Sequence, residues 1–258
     1  PTPTPTVTFA PTAHEMRWSI KALEALYNST NGLYNWTSAK NWLTGQPCTG
    51  SWYGINSTEI EYHETNQLNE TETKVIMSVT SINLTANDLL GPLPPSLGHL
   101  TALQSLDLTG NHLSGTLAEQ LGGLTALVRS FDLTSNEFTG SMPTSLGALT
   151  GLMGTFNLHD NAFTGPIIAD LGALTALRDL DLSSNTFSQT LPLALGAMTA
   201  LTSFAVADND ITSTLPSEFG NLVALQSGFD LRSNQLSGLV PTTLGAFTGL
   251  ATAFALSR

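Results

Sequence analysis

An asparagine recurs at positions 87, 111, 136, 161, 185, 209 and 234, in steps of 24 or 25 residues, and each time it closes the same phrase. The unit reads L-x-x-L-x-L-x-x-N-x-[LF]-[ST]-G-x-[LMI]-P-x-x-L-G-x-L-T-x-L, with small departures. A fixed period of this length constrains the fold severely. One unit is too short to bury its own apolar residues, so it must bury them against its neighbours. The 258-residue chain is therefore expected to form one solenoid rather than two globules. The longer steps carry an extra residue ahead of the strand, as in LVRSFDL against LQSLDL, which places the insertion at a bend.

The L-x-L core of each unit alternates inward and outward residues, the period of a half-buried strand. Stacked units then form a parallel sheet with strands about 4.8 Å apart. The remaining Leu and Phe positions fill the coil. The recurring Asn is expected to turn inward and satisfy backbone groups of its own and the next coil, a structural task rather than a ligand row. The outward strand positions make three columns. The first holds Ser81, Ser105, Ser130, Thr155, Asp179, Ser203 and Gly228; the second Asn83, Asp107, Asp132, Asn157, Asp181, Ala205 and Asp230; the third Thr85, Thr109, Thr134, His159, Ser183, Ala207 and Arg232. This face is small, polar and weakly acidic, and nearly devoid of the Trp, Tyr and Arg that anchor tight interfaces. It suits a glycan or a weakly held protein partner, with Ser105, Asp107, Thr109, Ser130, Asp132, Thr134, Asn157, His159 and Asp181 as contact residues.

Asp107, Asp132 and Asp181 share one column, and neighbouring carboxylates would welcome a divalent cation. No loop converges to complete a coordination sphere, so the expectation is a solvated acidic ladder and no resident metal or cofactor. His159 beside Asp160, with hydroxyls nearby, imitates part of a Ser-His-Asp set. A Gly-x-Ser-x-Gly elbow and paired oxyanion donors are missing, so no catalytic residue is assigned. After each Asn, Ser114, Thr139, Thr164, Ser188, Thr212 and Ser237 form a hydroxyl column, with Thr116, Ser141, Thr190 and Thr214 two positions later. Such rows could order water against ice or a mineral, although Leu90, Pro92, Pro166 and Leu239 interrupt them.

Ahead of the repeats the composition changes. Residues 1–12, PTPTPTVTFAPT, form a Pro/Thr-rich linker or stalk, with Thr2, Thr4 and Thr6 as O-glycosylation candidates. Residues 13–74 form a cap: Met16, Ile20, Leu23 and Leu26 predict a helix over 13–27 that NSTNG stops. Trp36, Trp42 and Trp52 cover the open end of the solenoid, and TEIEYHETNQLNETETKVIMSV reads as a hairpin into the repeats of 75–258. Asn-X-Ser/Thr triplets occur at Asn28, Asn35, Asn56, Asn69 and Asn83, all before residue 86, and favour a secreted glycoprotein. The single Cys48 leaves the redox compartment open and is expected to be a buried thiol or to pair with another chain.

The phrase L-x-x-L-x-L-x-x-N-x-L-S-G-x-L-P-x-x-L-G resembles the plant-type leucine-rich repeat, over residues 75–258 and about seven and a half units. The preceding ALYNSTNGLYNWTSAKNWLTGQPCTGSWYGI is similar to the N-terminal cap of that family. The resemblance implies an α/β solenoid, curved and right-handed, with a concave parallel sheet, a second sheet on the flank and a helical and hairpin cap. In that cap a Cys before W-x-G pairs with one after it; here Cys48 is present, but Ser57 stands near the partner's place. Members mostly recognise proteins, peptides or polysaccharides outside the cell and are rarely catalytic.

Eight Lys and Arg against 20 Asp and Glu give a net charge of -12, which excludes nucleic acid and anionic membranes as partners. No apolar run reaches the roughly 18 residues of a membrane span. The start of the sequence lacks a signal peptide and an initiating Met, which points to a processed or excerpted product whose targeting segment is not shown. Together these features predict a non-enzymatic extracellular glycoprotein scaffold. The alternatives are a ligand-recognising receptor ectodomain and an ice- or mineral-binding protein. Leu250, Phe254 and Leu256 begin an eighth strand, an open end that the N-terminal region of a second copy could cover head-to-tail, building filaments.

Overall fold

A computed structural model describes residues 13–44, 52–65, 71–249 and 254–255, with side chains from residue 19 onward except at 59–65, 71–77 and 254–255. Expectations placed on Thr2, Thr4, Thr6, Cys48, Asn69, Leu250 and Leu256 lie outside these residues, as does the side chain of Phe254. The chain begins with one helix, α1 (Ala13–Ser29), followed by an antiparallel hairpin of β1 (Ile55–Thr65) and β2 (Thr71–Asn83). Asn31, at φ 59, supplies the left-handed residue that ends the helix, and Gly32 N–H returns to the Tyr27 carbonyl at 2.8 Å.

The cap is an aromatic cluster. Tyr27 stacks on Trp42 at 5.6 Å and meets Trp36 edge-on at 5.1 Å, while Trp42 lies 5.0 Å from Trp52. Each buried indole satisfies its N–H on a nearby carbonyl: Trp36 on Thr30, Trp42 on Tyr53 and Trp52 on Thr44. The three tryptophans are buried in the same apolar core as the first coils. The expected boundary at 74/75 falls inside β2, because this one strand is both the second arm of the hairpin and the first strand of the repeats.

From β2 onward each coil contributes a strand to a long parallel sheet, a strand to a flank sheet and a five-residue 3-10 helix. Among the described residues the long sheet has nine strands, counting β1, and the flank sheet seven. Ser105–Asp107, Ser130–Asp132, Thr155–Asn157, Asp179–Asp181, Ser203–Ala205 and Gly228–Asp230 follow β2 side by side, and Phe254–Ala255 pairs beyond them. Between the sheets the core is continuous. Phe131 and Phe156 lie 5.2 Å apart under the long sheet, and Phe138, Phe163 and Phe187 stack at 6.0 Å under the flank.

The corner between the two sheets belongs to the recurring Asn. In Asn185 the amide nitrogen donates to the carbonyls of Leu158, Leu182 and Ser183, and the oxygen accepts the Phe163 N–H at 3.0 Å. Asn111, Asn136, Asn161 and Asn209 repeat this set. The second coil served is the preceding one rather than the following one, since Leu158 and Phe163 come before Asn185. The residue ahead of each Asn is left-handed, from Ala86 through Gly110, Ser135, Asp160, Ser184 and Asp208 to Ser233. That corner turns the backbone carbonyls inward, where only a side-chain amide can reach them.

Candidate functional site

Sheet register brings the first two outward columns into true rows. Ser105 lies opposite Ser130, Ser130 opposite Thr155, Thr155 opposite Asp179 and Asp179 opposite Ser203. Asp107, Asp132, Asn157 and Asp181 are likewise consecutive neighbours. Ser105 and Ser130 share a hydroxyl hydrogen bond of 2.7 Å. The third column sinks as it leaves the strand: Thr109, Thr134 and His159 are half-buried, and Ser183 and Ala207 are buried. Part of the expected face is therefore core, because Ser183 Oγ turns to accept the Ala207 N–H at 3.1 Å.

The carboxylates of the second column are occupied. Asp107 Oδ1 accepts the Thr109 N–H, Asp132 Oδ1 that of Thr134 together with its hydroxyl, and Asp181 Oδ1 that of Ser183. Asn157 does the same for His159, and Asp230 for Arg232. An Asx turn thus ends these strands and frees the main chain to enter the corner. The pattern [DN]-x-[TSHR] carries this role and is visible in the sequence once sought. Among the described residues no three His, Cys, Asp or Glu side chains are grouped to hold a metal ion.

Charge on the face concentrates at Asp179, which sequence reasoning placed in a column without singling it out. Burial raises its carboxyl above the usual range, the charges of Asp181 and Asp132 raise it further, and a hydrogen bond with Ser203 opposes them. Asp230 is lowered by its hydrogen bonds with Arg232, whose guanidinium grips both carboxylate oxygens. His159 Nδ1 is buried without a hydrogen-bond partner, so no carboxylate orients the ring through that nitrogen. Asp160 beside it is an exposed, left-handed corner residue, and the hydroxyl, imidazole and carboxylate chain that catalysis would need is not assembled there.

The flank sheet is registered differently. Ser114 lies opposite Glu137, Thr139 opposite Ala162, Thr164 opposite Thr186, Ser188 opposite Asp210 and Thr212 opposite Gln235. Each coil is offset from the last by two residues of the repeat. A shift of two keeps every outward residue outward but turns each sequence column into a diagonal. Some rows set hydroxyl against hydroxyl, as at Thr164 with Thr186 and Thr190 with Thr212, while others set Ser or Thr against Glu, Ala, Asp, Gln or Pro. The hydroxyl ladder on which the ice- or mineral-binding expectation rests is thus broken into short runs.

Asn28, Asn35, Asn56 and Asn83 are exposed, the first two on the helix end and its following turn and the other two on the long sheet. The last described coil exposes apolar side chains that earlier coils bury. Leu239 and Val240 are 92% and 54% exposed, whereas Leu215 and Leu191, the counterparts of Val240 in earlier coils, are buried. No helix among the described residues is long and apolar enough to cross a membrane.

With this geometry established, comparison with known proteins is informative. Residues 78–100, 102–124 and 176–198 match the family model described as Leucine Rich Repeat. No curated protein matches the chain. Among solved structures, it is similar to the leucine-rich-repeat ectodomain of the Arabidopsis receptor kinase HAESA in complex with an IDA peptide hormone ligand lengthened at its N-terminus. The identity there is 28% and the TM-score 0.71, over 92% of this chain and 36% of that one. The plant peptide hormone receptor RGFR1, in complex with RGF2, is 32% identical with a TM-score of 0.63, over 66% of this chain and 27% of that one. A pollen receptor kinase 3 structure is 25% identical with a TM-score of 0.64, over 83% of this chain and 95% of that one. The chain thus spans about a third of the length of the two hormone receptors.

Proposed function

The chain is a plant-type leucine-rich-repeat protein, and from that premise we propose that it is an extracellular recognition module whose in-register strand face binds an extended segment of a protein or peptide. The receptor-like reading replaces the inert scaffold as the main one. Its principal support is the likeness, over 92% of the chain, to an ectodomain solved with a peptide hormone. The geometry agrees with it. Successive strands present small hydroxyl and carboxylate groups in straight rows, and the Asx turns hold the second-column acceptors fixed. A bound segment rich in N–H donors would meet aligned acceptors without displacing a bulky side chain, which lowers the ordering cost of association.

The test is selection of extended peptides from a displayed library on the full chain, followed by titration against Thr155→Trp and Asp132→Arg. Thr155 and Asp132 are half-buried outward residues on neighbouring strands. Peptides that bind the wild type and lose affinity for both variants, while circular dichroism shows both variants folded, support the reading. Peptides that bind all three proteins equally overturn it.

A second reading, end-to-end self-association, rests on the exposed Leu239 and Val240 of the last described coil. The outer side of α1 does not supply a complementary surface, for Lys21, Glu24 and Asn28 there are exposed and polar. The contact would fall to residues 1–12 or to exposed apolar residues of the cap such as Leu33 and Tyr34. Sedimentation of the full chain and of a chain lacking residues 1–12 tests it: concentration-dependent assembly lost on deletion supports it, and a monomer at all concentrations overturns it.

A further inference from the structure

Two of the Asn-X-Ser/Thr triplets lie on the strand face itself. Asn56 on β1 is opposite Ser81, and Asn83 is the last residue of β2. Their chain neighbours Ile55 and Ile82 are buried, so strand alternation points both asparagines outward from the sheet. Asn83 heads the second column, directly beside Asp107. It performs the task of that column: its Oδ1 accepts the Thr85 N–H at 3.2 Å, as Asp107 Oδ1 accepts that of Thr109 at 3.1 Å.

The turn uses the oxygen and leaves the nitrogen. Among the described residues Asn83 Nδ2 has one hydrogen-bond contact, a 3.5 Å approach to Asp107 Oδ2, at the limit of such a bond. A substituent on that nitrogen keeps the Asx turn intact and emerges over the face. Asn157 occupies the same column with its Oδ1 in the same role, but it is followed by Leu158 and His159 and lacks the hydroxyl at the third position. Asn83-Leu84-Thr85 has it, and Thr85 is exposed. The corner asparagines cannot substitute, since the residue two places on is an apolar one such as Leu113, Phe138 or Phe163. The nitrogen of Asn111 is also spent on the carbonyls of Leu84, Leu108 and Thr109.

We infer that Asn83 and Asn56 carry N-linked glycans that close the strand face next to the cap and confine recognition to the strands beyond Asp107. The inference rests on the extracellular reading above. In the transfer, Nδ2 attacks the anomeric carbon of a diphosphate-activated oligosaccharide. The carbon–nitrogen bond forms, the anomeric carbon–oxygen bond breaks, the diphosphate leaves with the electron pair, and Nδ2 gives up one proton. Strands lie about 4.8 Å apart, less than the width of a branched oligosaccharide, so a glycan at Asn83 overhangs the neighbouring strands.

The experiment uses the full chain secreted from a eukaryotic host, deglycosylated enzymatically in heavy-oxygen water and mapped by tandem mass spectrometry. Heavy Asp at positions 83 and 56 is the expected result. The Asn83→Asp variant, which installs the residue that Asp107 and Asp132 already place in this column, loses one glycan's mass and keeps the thermal midpoint. Unmodified Asn83 in protein that carries glycans at Asn28 or Asn35 overturns the inference and leaves the extracellular reading standing, whereas protein with no glycan at any triplet removes both. Masking is read separately on Thr109→Cys in a Cys48→Ser background. A bulky maleimide should fail to label Cys at 109 until Asn83→Asp is added, while a small maleimide labels both. Equal labelling by the bulky reagent with and without Asn83→Asp overturns the masking.

Discussion

The two sheets are made by the same coils in the same order, yet one is in register and the other is not. On the long sheet, Phe131 lies opposite Phe156 and Leu180 opposite Phe204, each the same position of its repeat. On the flank, Phe163 lies opposite Gly140, Thr164 lies opposite Thr186, and the offset is two residues at every described step. The 3-10 side keeps that offset: a Cβ on Gly147 would fall 2.6 Å from the carbonyl of Asp170, two positions earlier in the next repeat. A column of like residues in a repeat sequence is therefore a row in space only where the stagger is zero. This is why the strand face presents straight rows of like residues and the Ser/Thr columns of the flank run diagonally.

The corner Asn holds the two registers together, and removing it should have the largest effect. Asn185→Ala leaves the buried Phe163 N–H and the Leu158 carbonyl without their partner. At roughly 1–3 kcal/mol for each unsatisfied buried group, a loss of about 3 kcal/mol is expected in chemical denaturation. A loss no greater than that of an exposed surface substitution would break the view that this amide couples the sheets.

The staggered 3-10 side offers a contrast of sign. Gly147→Ala forces a methyl against the Asp170 backbone and should destabilise by about 1–3 kcal/mol. Gly245 occupies the same place in the last described coil, and nothing lies within 4 Å of its added Cβ. Gly245→Ala should be neutral or gain up to about 1 kcal/mol through a less flexible unfolded chain. Equal losses at the two sites in thermal unfolding would show that the packing of the next coil is not the cause.

On the in-register face the test is electrostatic. Because the folded carboxyl of Asp179 is raised by burial and by Asp181, its ionised form opposes folding above the folded value, and that penalty is relieved as pH falls through it. Asp179→Asn should therefore raise the melting temperature at neutral pH. The advantage should vanish below the ordinary carboxylate range, where the wild-type group is protonated in both states. A variant that melts lower at neutral pH would mean that the hydrogen bond with Ser203 outweighs burial.

The smallest effect addresses the stagger directly. A double-mutant cycle between Thr164 and Thr186, which are opposite, should return a coupling of roughly 0.2–1 kcal/mol, and one between Thr164 and Ser188, which merely share a repeat position, should return none. The reverse outcome would restore the straight hydroxyl rows.

Much of this was legible in the sequence. The helix, the tryptophan cap, the hairpin and the inward Leu and Phe columns each follow from local periodicity, and the Asn column was read as structural from its place beside a turn. The two acceptor triplets on the strand face were also visible, with Asn83 already placed on a strand. The Asx turns were missed because the second and third columns were read separately, although Asp132 and Thr134 act as one unit. The raised carboxyl of Asp179 depends on how deeply the sheet buries it, which no spacing reports.

By itself, the sequence determined which residues go inside, how many coils there are and where each corner turns, because these depend on contacts within one repeat or on a period that every repeat obeys. The left-handed conformation near the end of each flank strand shows where that authority ends. Gly115, Gly140 and Gly165 adopt it readily, yet Gln189 and Ser213 are held in it at φ 71 and 79. Their neighbouring coils impose the path against the local preference. The offset between coils is of the same kind: it arises from how one corner packs on the next, a contact between residues some two dozen positions apart, and the repeat pattern is unchanged whether that offset is zero or two. Only the tertiary structure decides it, and with it which face of the solenoid presents straight rows to a partner.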